Sequence, residues 1–194
     1  KTANPHNPAH TPGGSSSGSA AAVADFMVPL AFGSQTVGSI VRPASFCGVV
    51  GYKPSFGLID RTGVRPLADT FDTVGVFSRT VADAAYLVSI LSRRPSLRLD
   101  GDLGTPPSIG LCRTHEWPAA DEDVGTALET VTRLANGAGG RIREITLPEL
   151  FARLAEVQAI VVDFEAANSA AYELAFDRNR VSNSFVARAE AGLA

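Results

Sequence analysis

The chain has 194 residues, 45% of them hydrophobic and 19% charged, which is enough for a packed core in one ordinary domain or two small ones and excludes a disordered tail. A formal charge of −3, with no basic run or aromatic–basic stripe, disfavours nucleic acid as a partner, because phosphate binding needs clustered Lys and Arg. No apolar run reaches the roughly 18 residues that a membrane span requires, so no membrane partner is expected.

In chain order, Lys1 to Thr11 reads as an extended loop, since Pro5 and Pro8 prevent a regular helix. His6 and His10 stand four apart, but without a helix that spacing does not make a ligand pair, and no metal is expected. Gly13-Gly14-Ser15-Ser16-Ser17-Gly18-Ser19 leads into the small residues Ala20 to Ala24, the pattern of a Gly/Ser loop opening a buried helix. Phe26 to Phe32, ending at Gly33, reads as a buried strand; Pro29 is discordant, because it cannot donate to a ladder. Val49 to Lys53 gives a second strand stopped by Pro54, and Thr73 to Phe77 a third. Thr80 and Asp83 open a helix over Val81 to Leu91 with the apolar stripe Val81, Ala84, Ala85, Val88 and Leu91.

Arg93 to Pro107 is polar, rich in Pro and Gly, and predicts an exposed connector. Beyond it come a strand at Ser108 to Cys112 and a helix capped by Asp121, carrying Val124, Leu128, Val131 and Leu134 and closed by Gly137. A strand through Ile142, Ile145 and Leu147 completes a βαβ unit with a parallel pair. Glu149 to Asp177 predicts one long helix through Leu150, Leu154, Val157, Val161, Phe164 and Leu174. The fold class is α/β, a mixed β-sheet core flanked by helices. The expected organisation is a single partial domain over 1–194, with a core over 1–92, a connector over 93–107, and the βαβ unit and long helix over 108–194. Cys47 and Cys112, far apart in apolar surroundings, read as reduced buried thiols.

Three readings compete for Gly13 to Ser19. A flexible linker would join polar flanks, whereas this segment runs straight into a small-residue helix. A phosphate loop needs a lysine after the second glycine, but Gly18 is followed by Ser19, and no strand precedes the loop as a dinucleotide fingerprint requires. The third reading is a nucleophile site. A serine needs a base within reach and backbone donors for the developing oxyanion, and Ser34-Gln35-Thr36-Val37-Gly38-Ser39 could reverse the chain and present consecutive N–H groups beside Ser39. His115, in an Arg-Thr-His-Glu-Trp loop, reads as a surface residue, so the base must come from elsewhere.

The run from Thr11 to Ala24 and the run Gly33-Ser34-Gln35-Thr36-Val37-Gly38-Ser39-Ile40-Val41-Arg42-Pro43 through Pro54 resemble the amidase signature family. So does the block Asp72-Thr73-Val74-Gly75-Val76-Phe77-Ser78-Arg79-Thr80. The match is dense from about Asn4 to Leu91 and is one of pattern beyond it. The resemblance implies hydrolysis of an amide C–N bond by a Ser–cis-Ser–Lys triad through an acyl-enzyme, without a cofactor. Ser39 would be the nucleophile and Ser15 the bridging serine, with the Gly14–Ser15 peptide cis. The N–H groups of Thr36, Val37, Gly38 and Ser39 would form the oxyanion hole. The expected partner is a small-molecule amide, with a homodimer as an optional assembly and the cytoplasm as the expected location.

Two departures stand out. Many members carry Asp at the Gln35 position and Gly at Val37, and a β-branched Val37 resists positive φ. Gln35 and the spacing from Ser39 to Arg42 resemble the malonamidase-type branch, in which an arginine at this position contacts a substrate carboxylate. That resemblance makes Arg42 and Gln35 substrate-binding candidates; a protein carboxylate is the competing partner for Arg42. The family's catalytic lysine lies well upstream of the Gly/Ser loop, and neither Lys1 nor Lys53 matches its place. The expectation is therefore a central piece of an amidase, inactive without its base. An inert scaffold of the same fold and an amidotransferase subunit that feeds ammonia to a charged transfer RNA are the alternatives.

Overall fold

The computed structural model describes residues 1–99 and 104–194; residues 100–103 of the expected connector lie outside the described residues. Two compact units are present, Lys1–Asp100 with Ile160–Ala194, and Gly101–Ala159.

The first unit is built on the antiparallel sheet β1–β3–β2, with β1 at Leu30–Gln35, β2 at Val50–Tyr52 and β3 at Thr73–Ser78. Successive side chains of the central strand point to opposite faces, and helices cover both. Phe77 packs against α1 (Ser17–Ala24) and α2 (Val41–Phe46) with Ala20, Val23, Ile40, Ala44 and Cys47. Val76, on the other face, packs with Ala84 and Val88 of α3 (Val81–Leu91). The Thr80 hydroxyl accepts from Asp83 N–H (3.1 Å), the cap that the sequence predicts. Val81, assigned to the buried stripe, is 62% exposed, because only the turn at Ala84 and Val88 meets the sheet.

Gly33 and Gly75 are cross-strand partners and leave a bare patch on the α1–α2 face. A Cβ on Gly33 would lie 2.6 Å from Ser16 Oγ, and one on Gly75 would lie 2.7 Å from Ile40 Cδ1. The Gly/Ser loop and the turn before α2 therefore sit directly on the sheet. The first strand begins after Pro29, not at Phe26. Phe26 (φ 59°) and Met27 are 75% and 71% exposed in a turn, where Arg79 stacks on the Phe26 ring and donates to Val23 O and Val28 O. Pro29, lacking an N–H, marks the boundary.

The second unit holds the predicted βαβ: β4 (Ser108–Cys112) and β5 (Arg141–Ile145) pair in parallel around α4 (Glu122–Gly137). Asp121 makes no side-chain cap bond, and Gly137 is the last helical residue rather than the terminator. The chain reverses at Gly139 (φ 84°), across which Gly140 N–H donates to Ala135 O (2.8 Å).

The single helix expected over Glu149 to Asp177 is three pieces: a 3₁₀ segment at Glu149–Arg153, α5 at Leu154–Ser169 and α6 at Ala171–Phe176. Its buried face is Val162, Ala166, Ala167 and Ala170, not the stripe of larger residues, since Leu150, Leu154, Val157 and Phe164 are exposed. Beside this face the backbones come close at one point: a Cβ on Gly192 of α7 (Asn183–Leu193) would lie 2.3 Å from the Asp163 carbonyl carbon.

The segment before β3 is tied to these helices. Thr70 N–H donates to Glu165 Oε2 (3.0 Å), and Arg65 Nη1 lies 2.6 Å from Glu173 Oε1. The Arg65 hydrogen bond draws the Glu173 carboxyl down from its ordinary 4.5 to about 2. The folded value lies below the unfolded one, so this tether stabilises above about pH 4.5 and loses its effect as pH falls through about 2. The pair is open to solvent, so the effect is small. The urea midpoint of the protein should exceed that of Glu173→Gln at pH 7, with the gap closing as pH drops through that window. A gap independent of pH would show that the charge pair does not act.

Candidate active site

An arm over residues 4–16 runs antiparallel along α2 and is fastened at each step. Asn4, 5% exposed, donates from Nδ2 to Phe46 O (2.9 Å), and His6 Nε2 hydrogen-bonds Cys47 O (2.9 Å). The Cys47 thiol reaches Pro12 O (3.5 Å), and burial pushes its pKa up, so it stays a protonated packing group. Gly13 takes φ 76° with room for no side chain, since a Cβ would lie 2.7 Å from Pro43 Cα. Arg42 Nε and Nη2 both donate to Gly14 O (3.0 and 2.8 Å), and Ser16 N–H donates to Ser39 O (3.3 Å). Ser15 is thus flanked on both sides by bonds to the Ser39 segment. The Gly14–Ser15 peptide is cis.

Between β1 and α2 the chain turns through Thr36 to Ser39. Gln35 is 6% exposed and organises this turn: its Oε1 accepts from Ile40 and Val41 N–H (2.8 and 3.0 Å), and its Nε2 donates to Val37 O (2.9 Å). Gly38 O accepts from Arg42 N–H (2.9 Å), so the carbonyls of Val37, Gly38 and Ser39 are all bonded. In contrast, the N–H groups of Thr36, Val37, Gly38 and Ser39 donate to no acceptor among the described residues. Val37 does not adopt positive φ, so its branched side chain is compatible with the turn.

These groups line a cavity of about 420 Å³ with Ser15, Ser34, Thr36, Val37, Gly38 and Ser39 on one side and Arg42, Arg65, Arg188 and Asp72 among its walls. Arg65 pairs with Glu173, and Arg188 pairs with Asp163 through Nε (2.8 Å) and Nη2. Arg42 pairs with a carbonyl, and no carboxylate neutralises it among the described residues. The Ser15 and Ser39 hydroxyls have no hydrogen-bond partner among the described residues, and they are not bonded to each other.

The structure brings six of the seven sequence candidates to one cavity. Gln35 is absent from its walls, and its amide is engaged by the turn, a geometry that favours shaping the loop over touching substrate. Lys53 donates to Pro54 O (2.7 Å), and no lysine lines the cavity among the described residues. His115 hydrogen-bonds Pro148 O (3.3 Å) in the second unit. Sequence reading missed Asp72, Arg65 and Arg188 as cavity residues. Only Asp72 carried a signal, as part of the Asp72-Thr73-Val74-Gly75 block, and nothing there indicated where its carboxylate points. Among the described residues no cluster of His, Cys, Asp or Glu could hold a metal, and no helix is long and apolar enough to cross a membrane.

A family profile described as Amidase matches residues 1–192. The chain belongs to the amidase family. The A-type subunit of glutamyl-tRNA(Gln) amidotransferase from Endomicrobium trichonymphae is 62% identical over 92 residues, covering 47% of this chain and 19% of that protein. Its counterpart of the same name from Synechococcus sp. (strain WH7803) is 38% identical over 186 residues, covering 89% of this chain and 38% of that protein. A solved amidase structure superposes with a TM-score of 0.88 at 31% identity, over 98% of this chain and 43% of the other. This amidase chain therefore spans less than half the length of each of these relatives.

Proposed function

We propose that the protein hydrolyses the C–N bond of a small carboxamide, with Ser39 as nucleophile, Ser15 as the bridging serine, and the N–H groups of Thr36, Val37, Gly38 and Ser39 as the oxyanion hole. The observation that carries this reading is the turn whose carbonyls at Val37, Gly38 and Ser39 are bonded into the protein while its N–H groups remain unpaired beside an unbonded Ser39 hydroxyl. Ser39 Oγ attacks the amide carbonyl, and the turn's N–H groups stabilise the oxygen that becomes negative. One such donor is worth about 2.7–4 kcal/mol in the transition state. The Ser39 proton passes through Ser15 to the departing amine, and water then releases the acid from the acyl-enzyme. The lysine that would hold the proton is outside the cavity walls described for this chain. Intact-mass measurement of the full-length gene product after exposure to a fluorophosphonate tests the assignment. One adduct lost in Ser39→Ala supports it; no adduct on a folded protein favours the inert scaffold.

Arg42 adds a selectivity. Its unneutralised guanidinium borders the cavity, and with Nε and Nη2 on Gly14 O its remaining edge can meet a substrate carboxylate. Arg42→Ala is expected to raise KM for an amide bearing a carboxylate by about tenfold or more, beyond its effect on a neutral amide. Equal losses on both would leave Arg42 only the task of holding Gly14.

A second reading rests on the 62% match to an amidotransferase component. In that case the same site releases ammonia for transfer within an assembly. Copurification of partner proteins with the full-length gene product separates the two, and its failure leaves the free-standing amidase.

A further inference from the structure

The carboxylate of Asp72 binds on both sides. It is 6% exposed and lines the cavity. Its Oδ1 accepts from the Thr36 hydroxyl (2.5 Å), and its Oδ2 accepts from Leu67 and Ala68 N–H (2.6 and 3.1 Å), with Arg61 Nη1 at 3.9 Å. One side chain thus joins the turn beside Ser39 to the segment that carries Arg65 and Leu67 along the cavity wall.

The turn shows why that matters. An N–H is aimed by the peptide plane it shares with the preceding carbonyl. The planes carrying Gly38 and Ser39 N–H are held by the bonds to Val37 O and Gly38 O. The plane carrying Val37 N–H has no such anchor, because Thr36 O accepts no hydrogen bond among the described residues. What fixes the chain there is the Thr36 side chain, and its partner is Asp72.

We infer that Asp72 is a positioning residue for the oxyanion hole, aiming the Val37 N–H group through the Thr36 hydroxyl. The inference rests on the amidase reading above and adds a residue to it. In Asp72→Asn the amide oxygen can keep the Leu67 and Ala68 donors, while the NH₂ turned toward Thr36 replaces the charge-assisted bond with a weaker neutral one donated to the hydroxyl, so the tether is loosened. Thr36→Val removes the same bond from the other end and leaves the Leu67–Ala68 anchor intact, which keeps the inference open to test if Asp72→Asn fails to fold.

The test is the inactivation kinetics of the full-length gene product by a fluorophosphonate. Ser39 Oγ forms the bond to phosphorus, fluoride leaves with the P–F electron pair, and the Ser39 proton departs through Ser15. The phosphonyl oxygen takes the oxyanion position. Thr36→Val is expected to lower the maximal inactivation rate about tenfold, short of the 10²–10³ for outright loss of a donor, and Asp72→Asn to lower it by less, both with the half-saturating concentration unchanged. The double variant is expected to lose no more than Thr36→Val alone. Rates equal to wild type, a loss confined to the half-saturating concentration, or losses that multiply in the double variant would each overturn the inference while leaving the amidase reading intact. A wild-type protein that does not react overturns both.

Discussion

Ser39→Ala in the full-length gene product is expected to lower kcat for amide hydrolysis by about 10⁴-fold or more, the scale seen when a serine nucleophile is removed elsewhere. The structure makes this a clean substitution. Ser39 supports the fold through its backbone, its carbonyl accepting from Ser16 N–H, and alanine preserves that bond. Its hydroxyl has no partner among the described residues, so removing it costs no structural hydrogen bond. Thermal unfolding of the variant should therefore match wild type while turnover, measured as released amine, collapses. A variant that retains a tenth of wild-type activity would show that another group attacks the carbonyl. Comparable loss of stability and activity would show that the hydroxyl serves the fold.

Gly75→Ala is expected to destabilise the protein by about 3 kcal/mol, at the upper end of ordinary overpacking. Gly75 lies in the middle of the central strand, opposite Gly33. An added methyl would stand 2.3 Å from Tyr52 O and 2.7 Å from Ile40 Cδ1. The first of these is backbone of the neighbouring strand and cannot swing aside, and Ile40 is fully buried. Relief requires β2 to move or Ile40 to lift, and Ile40 N–H is one of the groups that Gln35 holds to shape the turn at Ser39. Activity should fall along with the urea midpoint. Gly18→Ala is the control: it lies in α1 with no atom within 4 Å of the new methyl, and it should raise stability by about 0.5–1 kcal/mol. A Gly75→Ala midpoint equal to wild type would mean that the sheet is looser than the close approach of Gly75 to Tyr52 requires.

Features with local causes were legible in the sequence. The Thr80 cap and the bounds of the Val81–Leu91 helix follow from a side chain meeting an N–H three residues on. The β4–α4–β5 unit follows from alternation and length. The Gly/Ser loop and the turn after β1 announced themselves by residue type, and the family resemblance supplied roles for Ser15 and Ser39 that composition alone could not.

What failed was set by distant partners. The apolar run from Phe26 read as buried, but Arg79, far along the chain, holds it in an exposed turn and shifts the strand past Pro29. The helix after Glu149 buries Val162, Ala166, Ala167 and Ala170 instead of most of its larger residues, and periodicity carries no information about which face a distant partner will cover.

The sequence by itself determined the family of this protein and the α/β character of its fold, and it singled out the hydroxyls and backbone donors used in the proposed mechanism, because those reside in residue types and short spacings. Only the tertiary structure decided which N–H groups are left unpaired, that Arg42 grips the Gly14 carbonyl, and that Asp72 reaches 36 positions back to Thr36. Those are hydrogen bonds between segments that meet only after the sheet has assembled, and no local pattern encodes which donor a folded chain will leave without an acceptor.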